Sequence, residues 1–420
     1  MISGGYVTVC PEIDVEAVGE RIRALAAIGA TPAGGVSRVA FSAADAEARA
    51  LLEVWYAEAG LVVRCDAAGN LFGRWGDGGP ALLLGSHIDS VPDGGPYDGC
   101  LGVAAALECV RALRSGGVAP PCPIEVVAWQ MEESSRFGQA TFGSRAFAGR
   151  LRAEDVDRWR DRSGKGLRDY GIAPESLPQA RAWPGQVAGY LEMHIDQGVI
   201  LKQANAAIGA VTGIAAPLRV RLHIVGEAAH SGAALPEHRH DALLGAARVL
   251  VEVEDLVARE RPWGTVATVG AFSVSPNAIN VVPGDVEMGI DVRGVDVGSR
   301  RRLCRAILQV GARVAAQRSL AVSLEVLGEE EPVGLPEDMT ARIERAAAAE
   351  GVACTRLVSL AGHDAMQLAS LAPAGLVLVR NVSGTSHSPR ETIAPEDVAA
   401  GCRVYHRAVL DWLGAAAPRP

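Results

Sequence analysis

The chain has 420 residues, with 40 Lys+Arg against 49 Asp+Glu and a net charge of −9. With 49% hydrophobic and 21% charged residues, it has the apolar content of a globular protein, which excludes disorder as its main state and leaves room for two or three domains. The acidic balance argues against nucleic acid as a partner, because phosphate binding needs clustered Lys and Arg. The N-terminal stretch MISGGYVTVCPEIDVEAVGE lacks a basic region followed by an apolar one, so no secretory signal is read. The uncharged run between Arg261 and Asp285 contains Pro262, Pro276, Asn277, Asn280 and Pro283, which suits strands and turns and excludes a membrane helix. Eight cysteines are scattered without a C-x-x-C pair, the pattern of reduced thiols in a cytoplasmic protein.

In chain order, residues 14–29 place Val15, Val18, Ile22 and Leu25 on one helical face. Ser42 followed by Asp45 opens a second helix that runs to about Ala59, where Gly60 stops it. Apolar runs at 81–84 and 124–128 flank a helix at about 100–114, the strand–helix–strand sign of a parallel α/β sheet. From 218 the pattern becomes β-α-β-β-α-β: a strand at 218–225, a helix at about 240–259, strands at about 265–274 and 285–293, a helix at about 298–317 and a strand at about 320–327. This is a ferredoxin-like unit, bracketed by Gly209/Gly213 and by Gly328 with Glu329–Glu331 as expected hinges. A helix at 338–350 and an apolar run at 375–379 resume the α/β pattern, and the final AAAPRP reads as a loose tail. The expected architecture is a catalytic α/β domain with a mixed, largely parallel sheet in two parts, 1–212 and 329–420. Between them, 213–328 is an inserted ferredoxin-like domain.

Five segments carry metal-ligand chemistry, each at an expected strand end or loop, where open α/β sheets bind ligands. GSHIDS gives His87 and Asp89, GGPYDG gives Asp98, WQMEESSRFG gives Glu132 and Glu133, LEMHIDQG gives His194, and GTSHSP gives His387. Taken singly, each is more often structural or solvated. Together, the imidazoles and carboxylates suit zinc, with manganese or cobalt as alternatives, and suffice for two ions sharing one carboxylate.

These segments, in this order, resemble the dinuclear-zinc peptidase/amidase family. The wording GSHIDSVPDGGPYDGCLGV, EESSRFG, HIDQG and GTSHSPRE is closest to its branch of N-carbamoyl-L-amino-acid hydrolases, allantoate amidohydrolases and β-ureidopropionases. The resemblance spans residues 15–410. It implies His87, Asp98 and His194 around one divalent ion and Asp98, Glu133 and His387 around a second, zinc first, with manganese, cobalt or nickel as alternatives. It further implies Asp89 behind His87, fixing its tautomer, and Glu132 as general base to a metal-activated bridging water that attacks an amide or ureido carbon.

In the inserted domain, the segment GEAAHSGAALPEHRHDAL matches the family pattern at His230, Gly232, Arg239 and Asp241. The resemblance gives His230 to the developing oxyanion of the partner subunit's site, which implies a homodimer paired through the inserted domain. Asn280 and Arg293 match residues that hold the substrate's α-carboxylate, which suits the planar fork of Arg, and Gln197 matches a further substrate contact. His363 is read as structural or pocket-lining, and His223, His238, His240 and His406 as surface or packing residues. The chain departs from the branch at Ala233–Pro236, at Leu360 and at Arg380-Asn381, which bears on substrate rather than on catalysis. The expected activity is hydrolysis of a linear C–N bond in an N-carbamoyl-L-amino acid or related ureido acid bearing a carboxylate, without nucleic acid or membrane. An N-acyl-amino-acid deacylase or dipeptidase is the alternative, and a non-catalytic binding protein a third reading.

Overall fold

A computed structural model describes residues 12–414, so the AAAPRP tail and Cys10 lie outside the described residues. The chain divides into two compact units. One reaches to Thr212 and takes in Leu335–Leu357 and the described residues from Gly362. The other is Gly213–Gly334 with Val358–Ala361.

The first unit opens with two helices. Val15–Ala27 is capped by the Asp14 side chain on the Ala17 N–H and buries Val18, Ile22 and Leu25. Ala43–Glu58 is capped by Ser42 on the Asp45 N–H. Strands β1 (Val62–Cys65), β2 (Leu71–Trp75), β3 (Ala81–His87), β4 (Ile124–Trp129), β5 (Val187–Ile195) and β6 (Ile208–Ile214) follow. In the second unit come β7 (Ala216–Val225), β8 (Ala229–His230), β9 (Val266–Ser275), β10 (Val281–Val282), β11 (Asp285–Gly294) and β12 (Ala321–Glu329). The chain then forms β13 (Val333–Gly334), β14 (Cys354–Ser359) and β15 (Ala374–Val379).

The first unit's sheet runs β1-β2-β4-β3-β5-β15-β6, with β14 also on β6. Its centre is parallel (β4–β3, β3–β5 and β5–β15) and its flanks antiparallel (β1–β2, β2–β4 and β15–β6). The fold is therefore α/β with a mixed sheet. Strands β3, β4 and β15 are buried along their whole length, as central parallel strands covered on both faces must be. The helix Cys100–Ser115 packs so closely over β5 that a Cβ on Gly102 would lie 2.1 Å from the Met193 carbonyl oxygen.

The second unit's sheet has the order β12-β7-β11-β9 with antiparallel neighbours throughout. Helices Ala242–Glu260 and Val297–Arg318, capped by Asp241 and Asp296, bury Ala246, Val249, Leu303 and Ile307 against Leu218, Val220, Leu222 and Ile224. This unit continues to Gly334 because β13 pairs with Ile214 and Gly213.

The three glycines expected as hinges lie within strands, and the two units divide at Thr212/Gly213. Gly209 and Gly213 lie inside β6, and Gly328 lies inside β12 at a register shift against β7. Gly209 is small for packing reasons, since a Cβ there would meet a Leu357 methyl at 2.6 Å. No helix among the described residues is long and apolar enough to cross a membrane.

Candidate metal centre

The parallel strands bring their carboxyl ends to one edge of the first unit's sheet. His87 is the last residue of β3, Glu132 and Glu133 follow β4, His194 is the penultimate residue of β5, and His387 follows β15. Asp98 comes just before the helix Cys100–Ser115.

Two groups of ligand atoms form there. His87, Asp98 and His194 present atoms within 4.8 Å of one another, and so do Asp98, Glu133 and His387. His87 Nε2 and His194 Nε2 stand 3.3 and 3.2 Å from Asp98 Oδ1 and 3.4 Å from each other. On the other side, His387 Nε2 is 3.1 Å from Glu133 Oε1 and 3.6 Å from Asp98 Oδ2.

The hydrogen bonds behind the imidazoles test whether a cation fits. His87 Nδ1 lies 3.0 Å from the Asp89 carbonyl, and His194 Nδ1 lies 3.3 Å from the Ile195 carbonyl. A carbonyl only accepts, so each ring proton belongs on Nδ1 and both Nε2 lone pairs face inward. Asp98 Oδ1, the third atom at that point, is buried with no hydrogen-bond partner. In that tautomer three acceptor atoms converge, a donor set that could hold a cation.

The buried carboxylates draw positive charge to this point. Burial lowers the His87 pKa, but Asp89, Asp98 and Glu132 outweigh it and raise the value well above normal. Burial raises Asp98, yet His194 and His87 hold it well below the usual carboxylate range. His387 is pushed up to about 9, first by its hydrogen bond to Glu133. Each group favours the opposite charge beside it.

Asp89 does more than the sequence implies. Its carboxylate is 3.6 Å from His87 Nδ1, farther than its own carbonyl, and its two oxygens accept the backbone N–H groups of Glu132 and Glu133 at 3.1 Å each. One aspartate thus sets both the imidazole and the adjoining carboxylates. Glu132 Oε2 stands 3.8 Å from His87 Nε2. Burial pushes the Glu132 carboxyl well above its ordinary range, with His87 opposing and Glu133, Asp364 and Asp89 adding to the rise. Gln197 touches the centre itself, its amide donating to Asp98 Oδ2 at 2.9 Å. Sequence reasoning overlooked Ser386, whose hydroxyl is 2.8 Å from the same oxygen; its only signal was adjacency to His387. His363 lies edge-on to His194, with ring centroids 4.6 Å apart.

His230, Asn280 and Arg293 belong to the second unit. There β8 pairs with β10, His230 opposite Val281, and the Asn280 carbonyl accepts the Ser231 N–H at 3.0 Å, so His230 and Asn280 are neighbours. Arg293 is not with them. It lies near the far end of β11 from Asp285, and eight residues of antiparallel strand at about 3.4 Å each separate the two by roughly 27 Å. There Arg293 bonds Asp291 at 3.0 Å and the Leu360 carbonyl at 3.3 Å. Gly232 donates its N–H to His230 Nδ1 at 3.1 Å, which leaves the proton on Nε2 and makes that nitrogen a donor.

The mixed sheet and the paired ligand groups at its carboxyl edge define a metal-dependent hydrolase of the peptidase family M20/M25/M40. Residues 83–411 match that family, and the chain belongs to it. Within the family, it is 39% identical to an N-carbamoyl-L-amino acid amidohydrolase of Geobacillus stearothermophilus, over 94% of this chain and 98% of that protein. It is 33% identical to a ureidoglycolate hydrolase of Arabidopsis thaliana, over 95% of this chain and 87% of that one. Among solved structures, a hydantoinase/carbamoylase family amidase from Burkholderia ambifaria superposes with a TM-score of 0.87 at 35% identity, covering 97% of this chain and 100% of that chain.

Proposed function

We propose that this protein hydrolyses an N-carbamoyl-L-amino acid or a closely related ureido acid, in the cytoplasm, as a homodimer paired through its second unit. The observation that carries this reading is the sharing of Asp98 between two ligand groups with the Glu132 carboxyl beside them. His87, Asp98 and His194 would hold one divalent ion and Asp98, Glu133 and His387 another, with zinc the first expectation for this donor set. Such ions, when bound, acidify a water and polarise the carbonyl under attack.

The residues of the chain do the rest. Glu132, its carboxyl raised well above the ordinary range by burial, accepts the proton of the attacking water and passes it to the leaving nitrogen. With one water consumed, an N-carbamoyl amino acid gives the free amino acid, carbon dioxide and ammonia. Asp89 keeps Glu132 and Glu133 in place through their backbone N–H groups. His230 Nε2–H donates to the oxygen that becomes negative, and Arg293 with Asn280 receives the substrate carboxylate. The separation of Arg293 from His230 and Asn280 within one copy supports a site completed by two subunits.

The test measures newly freed amino groups, with ammonia alongside, when the metal-loaded protein is given a panel of N-carbamoyl, N-formyl and N-acetyl amino acids, allantoate and dipeptides. The proposal expects release from carbamoyl or ureido acids. Cleavage of acetyl compounds or dipeptides alone would replace it with a deacylase or dipeptidase, and no turnover on any compound would favour a non-catalytic role.

A further inference from the structure

We propose that Glu391 is a positioning residue for the metal centre, and that together with Ser386 it locks the shared ligand Asp98 to the loop that carries His387. The inference rests on the two-ion reading above.

Glu391 is 3% exposed. Its Oε1 accepts the backbone N–H groups of Tyr97 at 3.0 Å and Asp98 at 3.1 Å, although 293 residues of chain separate Asp98 from Glu391. Its Oε2 is 2.8 Å from Ser386 Oγ, and the same hydroxyl is 2.8 Å from Asp98 Oδ2. The Glu391 N–H in turn donates to the Ser388 carbonyl at 3.0 Å. One side chain therefore fixes the backbone before the Asp98 carboxylate, and, through a hydroxyl, one of its two oxygens. Room is made for it: a Cβ on Gly95 would lie 2.1 Å from the Glu391 carboxyl carbon.

The physical need is specific to a shared carboxylate. The terminal torsion of an aspartate is broad, yet Asp98 has to keep Oδ1 toward His87 and His194 while Oδ2 faces Glu133 and His387. The Gln197 amide donates to Oδ2, and the Ser386 hydroxyl, its one proton shared between Oδ2 and Glu391 Oε2, ties that oxygen to Glu391. If filling the space were the whole task, an apolar side chain would do it without the cost of burying a carboxyl group. Groups that orient metal ligands in this way commonly change metal affinity when removed.

The test titrates metal-free wild type, Glu391→Ala and Glu391→Gln with zinc chloride against a chromophoric chelator, and melts each metal-free protein. Glu391→Ala is expected to bind zinc about 10–100-fold more weakly, with metal-free melting close to wild type. A glutamine can place Oε1 on the two N–H groups and donate its amide to Ser386 Oγ, which frees the hydroxyl proton for Asp98. Glu391→Gln is therefore expected to restore near-wild-type affinity. Wild-type affinity in Glu391→Ala overturns the proposal, and so does a Gln variant as weak as the Ala one, since that would assign the effect to charge. If Glu391→Ala fails to fold, Ser386→Ala decides: weakened zinc binding with unchanged metal-free melting supports the proposal, and wild-type affinity refutes it. A wild type that takes up no zinc defeats the two-ion reading and this inference together, whereas full uptake by wild type and Glu391→Ala alike defeats this inference alone.

Discussion

At the residue scale, the charged atoms of the centre are set by partners that only fold in space. The departure at Arg380-Asn381 shows the same rule away from the site. Arg380 bonds both oxygens of Asp397, at 2.9 and 2.8 Å, and Asp397 is buried in the first turn of the final helix, Pro395–Trp412. The guanidinium is therefore a structural partner for an internal carboxylate and adds no free charge for the substrate. Asn381 is fully occupied in its own loop, its amide on the Thr385 carbonyl and its oxygen accepting from Ser383. Arg380→Ala is predicted to lower stability by about 1–3 kcal/mol, because it strands a buried carboxylate, while turnover at permissive temperature stays unchanged. Urea unfolding alongside an ammonia assay checks both halves.

At the scale of elements, the site depends on how tightly helices sit over strands. The helix Cys100–Ser115, which follows Asp98, approaches β5, which carries His194, at Gly102. Gly102→Ala pushes a methyl into the Met193 carbonyl and is predicted to destabilise the protein by about 1–3 kcal/mol through overpacking; thermal unfolding reads it. Much of this layer was legible in the sequence. Short apolar runs marked β3, β4 and β15, 3.6-residue spacing marked the first helix, Ser42 with Asp45 marked the second, and alternation marked β7. What escaped has physical reasons. β5 buries Glu192 and His194 inside its apolar run, and β6 carries two glycines that read as flexibility although one is a packing contact. The segment around Phe142–Tyr170 consists of short helices of four to six residues joined by loops and held by a local cluster of Phe137, Phe142, Val156, Leu167 and Leu177, which has no single period to detect. Likewise, the candidate ligand residues stood out by their motifs, but the grip of Asp89 on the Glu132 and Glu133 N–H groups required a fold that brings residues 43 and 44 positions apart together.

At the scale of the whole molecule, the proposed reaction needs groups that one copy keeps apart, His230 with Asn280 at one place and Arg293 at another. If His230 serves the neighbouring subunit, a dimer mixed from Glu132→Gln and His230→Ala chains contains one site with both groups intact. Mixing and exchanging the two inactive variants is predicted to recover about a quarter of wild-type turnover, since half the dimers are mixed and each has one competent site of two. No recovery after verified subunit exchange would place His230 in its own subunit's site. The account as a whole stands on a carboxylate that moves protons beside one that holds metal. Its most direct test is zinc content and ammonia release measured on the same Glu132→Gln preparation. The account predicts wild-type zinc content with turnover reduced by roughly 10²–10⁴-fold; near-wild-type turnover at full zinc occupancy would contradict it.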